Sequence, residues 1–259
     1  NQLQKIKISK AFLGNMDAYQ MAQYSDSINY GVDELDVKIY KWDFNQIEDS
    51  VELIAVPTYR DGEIFYDSII VYQFDNVNSF LQKGYEYELV VKNNKSGNIV
   101  SSRTEIVSGF DFDNIFTTKS KSFQFGLYTN NDFSSSTITW DDSNDNGKIY
   151  QLDLIFHYTE IMDGVYTEDS LIYSLPLIDD TESKMKIEGN SFFNFLALNL
   201  DKNQSVIRYF NEIDMIMTVG SEDLETYINV NKPITGIVQE RPQFTNINNG
   251  IGLFSSRFK

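Results

Sequence analysis

The feature that most constrains the fold of this chain is an alternation of apolar and polar residues with a period of two. It recurs along the chain, for example over residues 35–39, 85–91 and 152–158. Successive side chains of a β-strand point to opposite faces, so this period is typical of half-buried antiparallel strands. Turn-forming segments such as residues 60–62 separate the runs. The chain is therefore predicted to be mainly β.

The alternation pauses at residues 108–114, where we place a junction between two domains. Residues 1–107 predict an immunoglobulin-like β-sandwich, and the stretch 81–91 resembles a late strand of such modules, in which an aromatic ring near the strand start locks the corner. Residues 108–259 predict a second β-rich domain that ends in an irregular C-terminal tail.

Two segments of this second domain have helical rather than strand spacing. Apolar residues recur at helical spacing behind a Ser191 N-cap, which predicts a short helix near residues 191–201. Ser221 is followed by an acidic first turn, which complements the helix dipole and predicts a second helix near residues 222–229.

Charge and residue usage exclude several classes of function. The chain has 21 Lys and Arg against 38 Asp and Glu, so its formal charge is −17, and we exclude nucleic acid as a partner because its phosphates would be repelled. It has no Cys and one His, which excludes thiolate chemistry and the paired imidazoles of most catalytic zinc sites. No apolar run approaches the roughly 20 residues that cross a bilayer.

The segment from Asp142 to Asp153 has two interpretations. Asp142, Asn144 and Asn146 stand at positions 1, 3 and 5 of a calcium-loop template, with Asp153 at position 12, so a Ca²⁺ ion on this loop would suit a calcium-dependent adhesion module. The flanking residues alternate as strands, however, and Asn146-Gly147 is a strong hairpin turn. We favour the β-hairpin and keep the calcium site as the alternative.

Tyr40 and Trp42 are the candidate ligand-binding residues. They alternate along the strand with the apolar residues Leu35, Val37 and Ile39, so we expect their side chains on the outer face of the strand. There, aromatic rings can stack on a glycan or a peptide. The alternative is that they form cross-strand pairs. A carbohydrate-binding or carbohydrate-active β-sandwich protein is the function that the first interpretation supports.

No catalytic set emerges from the sequence. His157 is the single His, and no Gly-x-Ser-x-Gly elbow provides it with a nucleophile. Glu212 and Asp214 would stand on one strand face, as a glycosidase pair requires, but in a chain this acidic such pairs arise by chance and favour solvated charge. We predict that the protein is not an enzyme.

Three segments, residues 89–107, 140–160 and 233–254, together resemble a large family of uncharacterised Bacteroidota lipoproteins. The most specific match is the run from Asn246 to Phe254, which is similar to the Asn-Ile-x-x-Gly-x-Gly-x-Phe ending of that family. The resemblance implies an exported protein with a lipidated Cys at its N-terminus, held at the outer membrane, on the cell surface or the periplasmic face, often beside a TonB-dependent transporter. Since the chain has no Cys, we expect any such anchor upstream of Asn1.

The family carries no assigned catalytic residues, so the resemblance transfers none. It implies a non-enzymatic accessory or ligand-capturing subunit whose partner is an outer-membrane β-barrel or transporter, with a glycan or peptide as a further ligand. The C-terminal tail is locally basic on an acidic chain, and its Arg241 and Arg257 are the candidate partner contacts. The alternative is that these charges pair with the acidic body of the protein itself.

Overall fold

A computed structural model of the chain describes residues 3–10, 28–59, 68–76, 79–107, 109, 112, 126, 128–141, 146–179, 183–203, 205–233 and 243–259. This part of the chain is mainly β, every ladder in it is antiparallel, and it contains two helices. The predicted fold class is confirmed. Neither of those helices is long and apolar enough to cross a bilayer.

The chain divides into two compact units. The first comprises Asn1–Ile106 and Thr226–Ser255, and the second comprises Val107–Glu225 and Ser256–Lys259. The sequence placed a single boundary after residue 107. In the structure, residues 226–255 of the predicted second domain group with the first unit.

The described residues of the first unit form two antiparallel sheets. In order of adjacency, the smaller sheet consists of β1 (Leu3–Lys7), β5 (Ser68–Asp75) and β4 (Ile54–Tyr59), and the larger of β3 (Gln46–Glu52), β2 (Leu35–Asp43), β6 (Glu86–Asn93) and β7 (Ile99–Glu105). The predicted alternation is clear in β2, where Leu35, Val37 and Ile39 are buried and Asp36 is exposed.

Both sheets contribute to one apolar core, so the first unit is a β-sandwich. Val37 and Leu89 come from the larger sheet and Phe74 from the smaller one. The corner that precedes β6 is closed by Tyr87, whose Oη donates to the carbonyl oxygen of Phe80 at 2.9 Å and accepts from the backbone N–H of Gln82 at 2.7 Å. This tyrosine corner is a hallmark of immunoglobulin-like sandwiches, as expected from residues 81–91.

The second unit is built on one sheet of long strands. In order of adjacency this sheet consists of β12 (Val165–Ser174), β11 (Ile149–Met162), β15 (Ile207–Gly220) and β16 (Arg257–Phe258), with β13 (Ile178–Asp179) paired to the start of β11. Two smaller pairs join β10 (Ser136–Thr139) to β14 (Lys184–Ile187) and β8 (Tyr128–Thr129) to β9 (Asp132–Phe133).

One face of the long sheet packs against helix α1 (Gly189–Asn199). Leu152 and Leu154 of β11 are 0% and 1% exposed, and they share a core with Phe192 and Leu196 of the helix. The residues of β11 on the other parity, such as Asp153, are less buried. The core of the second unit thus lies on one side of the sheet.

Both predicted helices are present, with one corrected start. Helix α1 begins at Gly189 rather than behind Ser191, and its N-cap is Glu188, which makes no side-chain capping bond. Gly189 lies against the backbone oxygens of Phe133 and Ser134, where no other residue type fits, so the first residue of this helix has to be glycine. Helix α2 (Glu222–Asn231) has the acidic first turn that the sequence predicts.

The predicted hairpin around Asn146-Gly147 is wrong. Strand β10 pairs with β14, and β11 pairs with β12 and β13 on one side and with β15 on the other. Because both edges of β11 are taken along its length, β10 has no place beside it. Residues 140–148 therefore connect strands of two different sheets.

The C-terminal motif lies along the edge of the first unit's larger sheet. Asn248 and Ser101 of β7 exchange backbone hydrogen bonds of 2.8 and 3.3 Å, and the Ser102 hydroxyl donates to the carbonyl oxygen of Asn246 at 2.7 Å. The Asn246 side chain closes the loop, since its amide donates to the Phe254 carbonyl and accepts from the Phe254 N–H. These contacts attach residues 246–254 to the first unit.

Candidate functional site

The predicted aromatic pair lies on the outer face of the larger sheet of the first unit. The Trp42 indole Nε1 donates to Glu88 Oε2 at 2.9 Å, and the guanidinium of Arg103 lies 4.0 Å from the centroid of the indole. Arg103 also pairs with Glu86 at 3.5 Å and with Glu88 at 3.4 Å. Tyr40 stands directly opposite Glu88 in the ladder.

The two predicted residues are therefore on one face, beside carboxylates, but Arg103 lies over the indole of Trp42. A sugar that stacked on that side of the ring would have to displace the guanidinium, whose interaction with an exposed ring is worth about 0.5–1 kcal/mol. The arrangement leaves Tyr40 and Trp42 as a hypothesis for glycan or peptide binding.

Sequence reasoning missed a buried lysine between these two residues. Lys41 is 6% exposed, and its Nζ lies 3.0 Å from Glu48 Oε2, donates to Gln82 Oε1 at 3.1 Å and stands 3.8 Å from the centre of the Tyr85 ring. Burial by itself lowers the pKa of an amine, but the Glu48 carboxylate outweighs it, so the pKa of Lys41 is raised. The signal in the sequence was a charged residue on the parity of Val37 and Ile39.

Of the four candidate calcium ligands, Asp142 and Asn144 lie outside the described residues. Asn146 precedes β11, and Asp153 lies within it, opposite Ile216 of β15. Oδ1 of Asp153 is buried and has no hydrogen-bond partner in the described structure. Among the residues that the structure describes, no three His, Asp or Glu side chains are grouped to hold a metal. The calcium site stays a hypothesis.

His157 and the carboxylate pair meet on the side of the long sheet away from the core. His157 Nε2 lies 3.1 Å from Asp214 Oδ2, and Glu212 stands opposite His157 in the ladder. Glu212 and Asp214 thus share a strand face, as expected. Because the His157 and Asp214 side chains are 34% and 56% exposed, this is a solvent-exposed contact that adds little to stability.

The two basic candidates of the tail are Arg241 and Arg257. Arg241 lies outside the described residues. Arg257 opens β16 opposite Gly220, is exposed, and forms no ion pair with any residue of the described ranges.

A second feature that sequence reasoning missed is apolar surface at the far end of the long sheet, around the β11–β12 turn. In the ladder Ile161 has Tyr166 on one side and Ile207 on the other, and Tyr209 stands opposite Thr159. Tyr166, Ile207 and Tyr209 are 72%, 58% and 56% exposed. We call Ile161, Tyr166, Ile207 and Tyr209 the distal patch.

The strands below the distal patch are tied to each other by polar side chains. Arg208 Nε donates to Glu160 Oε1 at 2.7 Å, and the Tyr158 hydroxyl donates to Asp169 Oδ2 at 3.1 Å. Burial is the main cause of the raised pKa of Tyr158, and Asp169 adds to it. These bonds link β11 to both of its neighbours, so the distal patch is presented on a stiff support.

Comparison of the chain with protein families, with characterised proteins and with solved structures finds no significant match.

Proposed function

We propose that this protein is a non-enzymatic, exported lipoprotein that serves as an accessory or ligand-capturing subunit of an outer-membrane complex, with a β-barrel or transporter of the TonB-dependent kind as its partner. The location and the class of partner rest on the resemblance of the C-terminal motif. The way in which the protein docks rests on the distal patch.

The observation that carries a docking role is the contiguous exposure of Tyr166, Ile207 and Tyr209 around Ile161. Apolar side chains exposed singly are ordinary, whereas neighbours on adjacent strands form a continuous surface that costs free energy to hydrate. Tyrosine is enriched at protein interfaces because its ring buries a large area at little cost in conformational entropy. A stiff support lowers that cost further.

The proposal is tested in the native membrane. A photo-crosslinking residue placed at Tyr166 is expected to form an adduct with an outer-membrane β-barrel protein, and the same residue placed at Tyr128 is the control. Tyr128 belongs to the same unit and is 56% exposed, but lies outside the distal patch. If Tyr166 and Tyr128 give the same adducts, or if the chain never co-purifies with a β-barrel protein, the accessory role is refuted.

The carbohydrate alternative is tested separately. A glycan array with the wild-type chain and with Trp42→Ala is expected to give signals that the substitution abolishes if the outer face of the larger sheet binds sugars. Silence of the wild-type chain on the array, together with silence in a reducing-sugar assay, removes that alternative.

A further inference from the structure

A groove runs beside β15 in the second unit. It has a volume of about 400 Å³ and is lined by Phe112, Met215, Ile216, Met217, Phe258 and Lys259. We call it the β15 groove. All of these residues belong to the second unit, and the groove is separate from the distal patch.

The groove lies where β15 loses a neighbour. Strand β16 pairs with Val219 and Gly220, so the following residue, Lys259, comes opposite Thr218. Beyond that point residues 207–218 pair with β11 on one side, and no strand of the described residues pairs with the other side. Alternate backbone N–H and C=O groups of a strand edge point outward, and those on this side of β15 have no strand partner among the described residues.

The walls of the groove are apolar and of two kinds. Met215 is partly buried and Met217 is 3% exposed, so the flexible thioether of Met215 lines the groove near its surface and that of Met217 closes its floor against the core. The Phe258 ring is held from behind, because a Cβ added at Gly109 would come within 3.1 Å of it. Methionine side chains on one side of the groove and the Phe258 ring on the other suit the insertion of a single large apolar side chain.

The rim of the groove is cationic although the chain as a whole carries −17. Lys259 lines the groove, and Arg257 stands two residues before it without an ion pair in the described ranges. Positive charges at one end of an apolar groove select an occupant that carries negative charge close to an apolar side chain.

From these three features we infer that the β15 groove binds an extended acidic peptide segment of a partner protein by strand addition to β15. The backbone of the segment pairs with the open edge of β15, an apolar side chain enters between Met215 and Met217, and an acidic side chain faces Lys259. This is the mode in which main-chain hydrogen bonds supply affinity and alternate side chains supply selectivity.

The test uses a fluorescein-labelled peptide in which leucine alternates with glutamate, and a second peptide with lysine in place of each glutamate. The glutamate peptide is expected to bind the full chain more tightly in fluorescence anisotropy, with an affinity that falls as salt rises. In a chain with ¹³C-methyl methionine, its binding is expected to shift the Met215 and Met217 signals and to leave those of Met162 and Met185 in place.

Three substitutions separate the groove from general charge effects. Lys259→Glu is expected to weaken binding roughly three- to tenfold, as expected for reversal of an exposed charge at an interface. Ile216→Arg, which fills the groove, is expected to abolish binding. Lys202→Glu is the matched control, since Lys202 is exposed in the same unit away from the groove.

Equal affinity for the two peptides overturns the inference, as does an equal effect of Lys259→Glu and Lys202→Glu. Binding of the glutamate peptide without a shift of the Met215 and Met217 signals overturns it as well. None of these outcomes bears on the distal patch, so failure here is distinguishable from failure of the proposed function.

Discussion

Two buried tyrosines of the first unit differ in whether their hydroxyl groups are hydrogen-bonded, so the same substitution can be compared at both. Tyr72 and Tyr87 are each 1% exposed and belong to the same core. The Tyr87 hydroxyl is bonded to the backbone of Phe80 and Gln82, whereas the Tyr72 hydroxyl is buried without a hydrogen-bond partner among the described residues. Replacing either one by phenylalanine removes one oxygen and leaves the ring.

The two substitutions are expected to change the free energy of unfolding of the first unit differently. Tyr87→Phe lowers it, whereas Tyr72→Phe leaves it unchanged or raises it. Tyr87→Phe removes bonds of 2.7 and 2.9 Å and leaves the Phe80 carbonyl without that donor inside the core. At about 1 kcal/mol for each bond, plus the desolvation of the partner left unpaired, the loss of stability is about 2–3 kcal/mol. Tyr72→Phe removes a polar group that gains nothing in the folded state, so we expect no loss and a gain of up to about 1 kcal/mol.

The measurement must report the first unit by itself, because a chain of two units need not unfold in one step. The chain has two Trp, and Trp42 lies in the first unit and Trp140 in the second. With 5-fluorotryptophan, each gives its own ¹⁹F resonance, and the urea midpoint is read from Trp42. A loss for Tyr72→Phe equal to that for Tyr87→Phe would refute the reasoning, since it would mean that the Tyr72 hydroxyl has a partner.

Three further predictions concern charge and close packing. Burial raises the pKa of Tyr72 from 10.0 to about 12, so the hydroxyl loses its proton at a lower pH in the unfolded chain than in the folded one. The urea midpoint of the first unit is therefore expected to fall as the pH rises from 10 to 12. The fall is expected to be smaller in the Tyr72→Phe variant, which lacks this proton. Glu48→Gln leaves the buried ammonium of Lys41 without its carboxylate and is expected to cost about 1–2 kcal/mol of stability. Lys41→Met leaves no buried charge without a partner and is expected to cost less. Both are read from the Trp42 resonance, and a larger loss for Lys41→Met would contradict the pairing of Lys41 with Glu48. Gly189→Ala drives a methyl group into the carbonyl oxygen of Ser134 and is expected to cost about 1–3 kcal/mol, measured as a lower midpoint of the second unit.

The parts of the fold that were predictable are those that local sequence determines. A period of two places Leu35, Val37 and Ile39 in the core of the sandwich, and it does so whatever strand lies beside them. The tyrosine corner is also local, since Tyr87 binds the backbone only five to seven residues away. The same is true of the acidic first turn of α2.

The parts that were not predictable depend on which strands become neighbours. Asn146-Gly147 has the local chemistry of a hairpin turn, but both edges of β11 are taken by strands from further along the chain. Lys41 has a partner because the register between β2 and β3 shifts at Lys41/Trp42, close to Glu48. A bulge shifts the alternation of the bulged strand by one residue, but β3 is exposed along almost its whole length, so the shift cannot be recognised from its sequence.

The distal patch escaped prediction for a related reason. Ile161 has the parity of Asp153 and His157, on the side of the long sheet away from the core, where a period of two predicts solvent-facing residues. The patch forms because strand pairing brings Tyr166 of β12 and Ile207 of β15 to either side of Ile161, which the period of a single strand does not show. An apolar residue on the outer face of a strand can therefore be judged only once the neighbouring strands are known.

The C-terminal motif shows how a specific sequence match can be structural in origin. Asn246 bonds to both backbone groups of Phe254, Gly250 lies against Val100, and Gly252 adopts a φ of 147° that other residue types avoid. Together these residues hold a loop along the edge of β7, which otherwise would present unpaired backbone groups to another chain. Protection of a sheet edge gives Asn246, Gly250 and Gly252 a structural role that does not depend on what the protein binds. Evidence about the ligand must therefore come from surfaces outside the motif, and the distal patch and the β15 groove are two such surfaces in the described part of the chain.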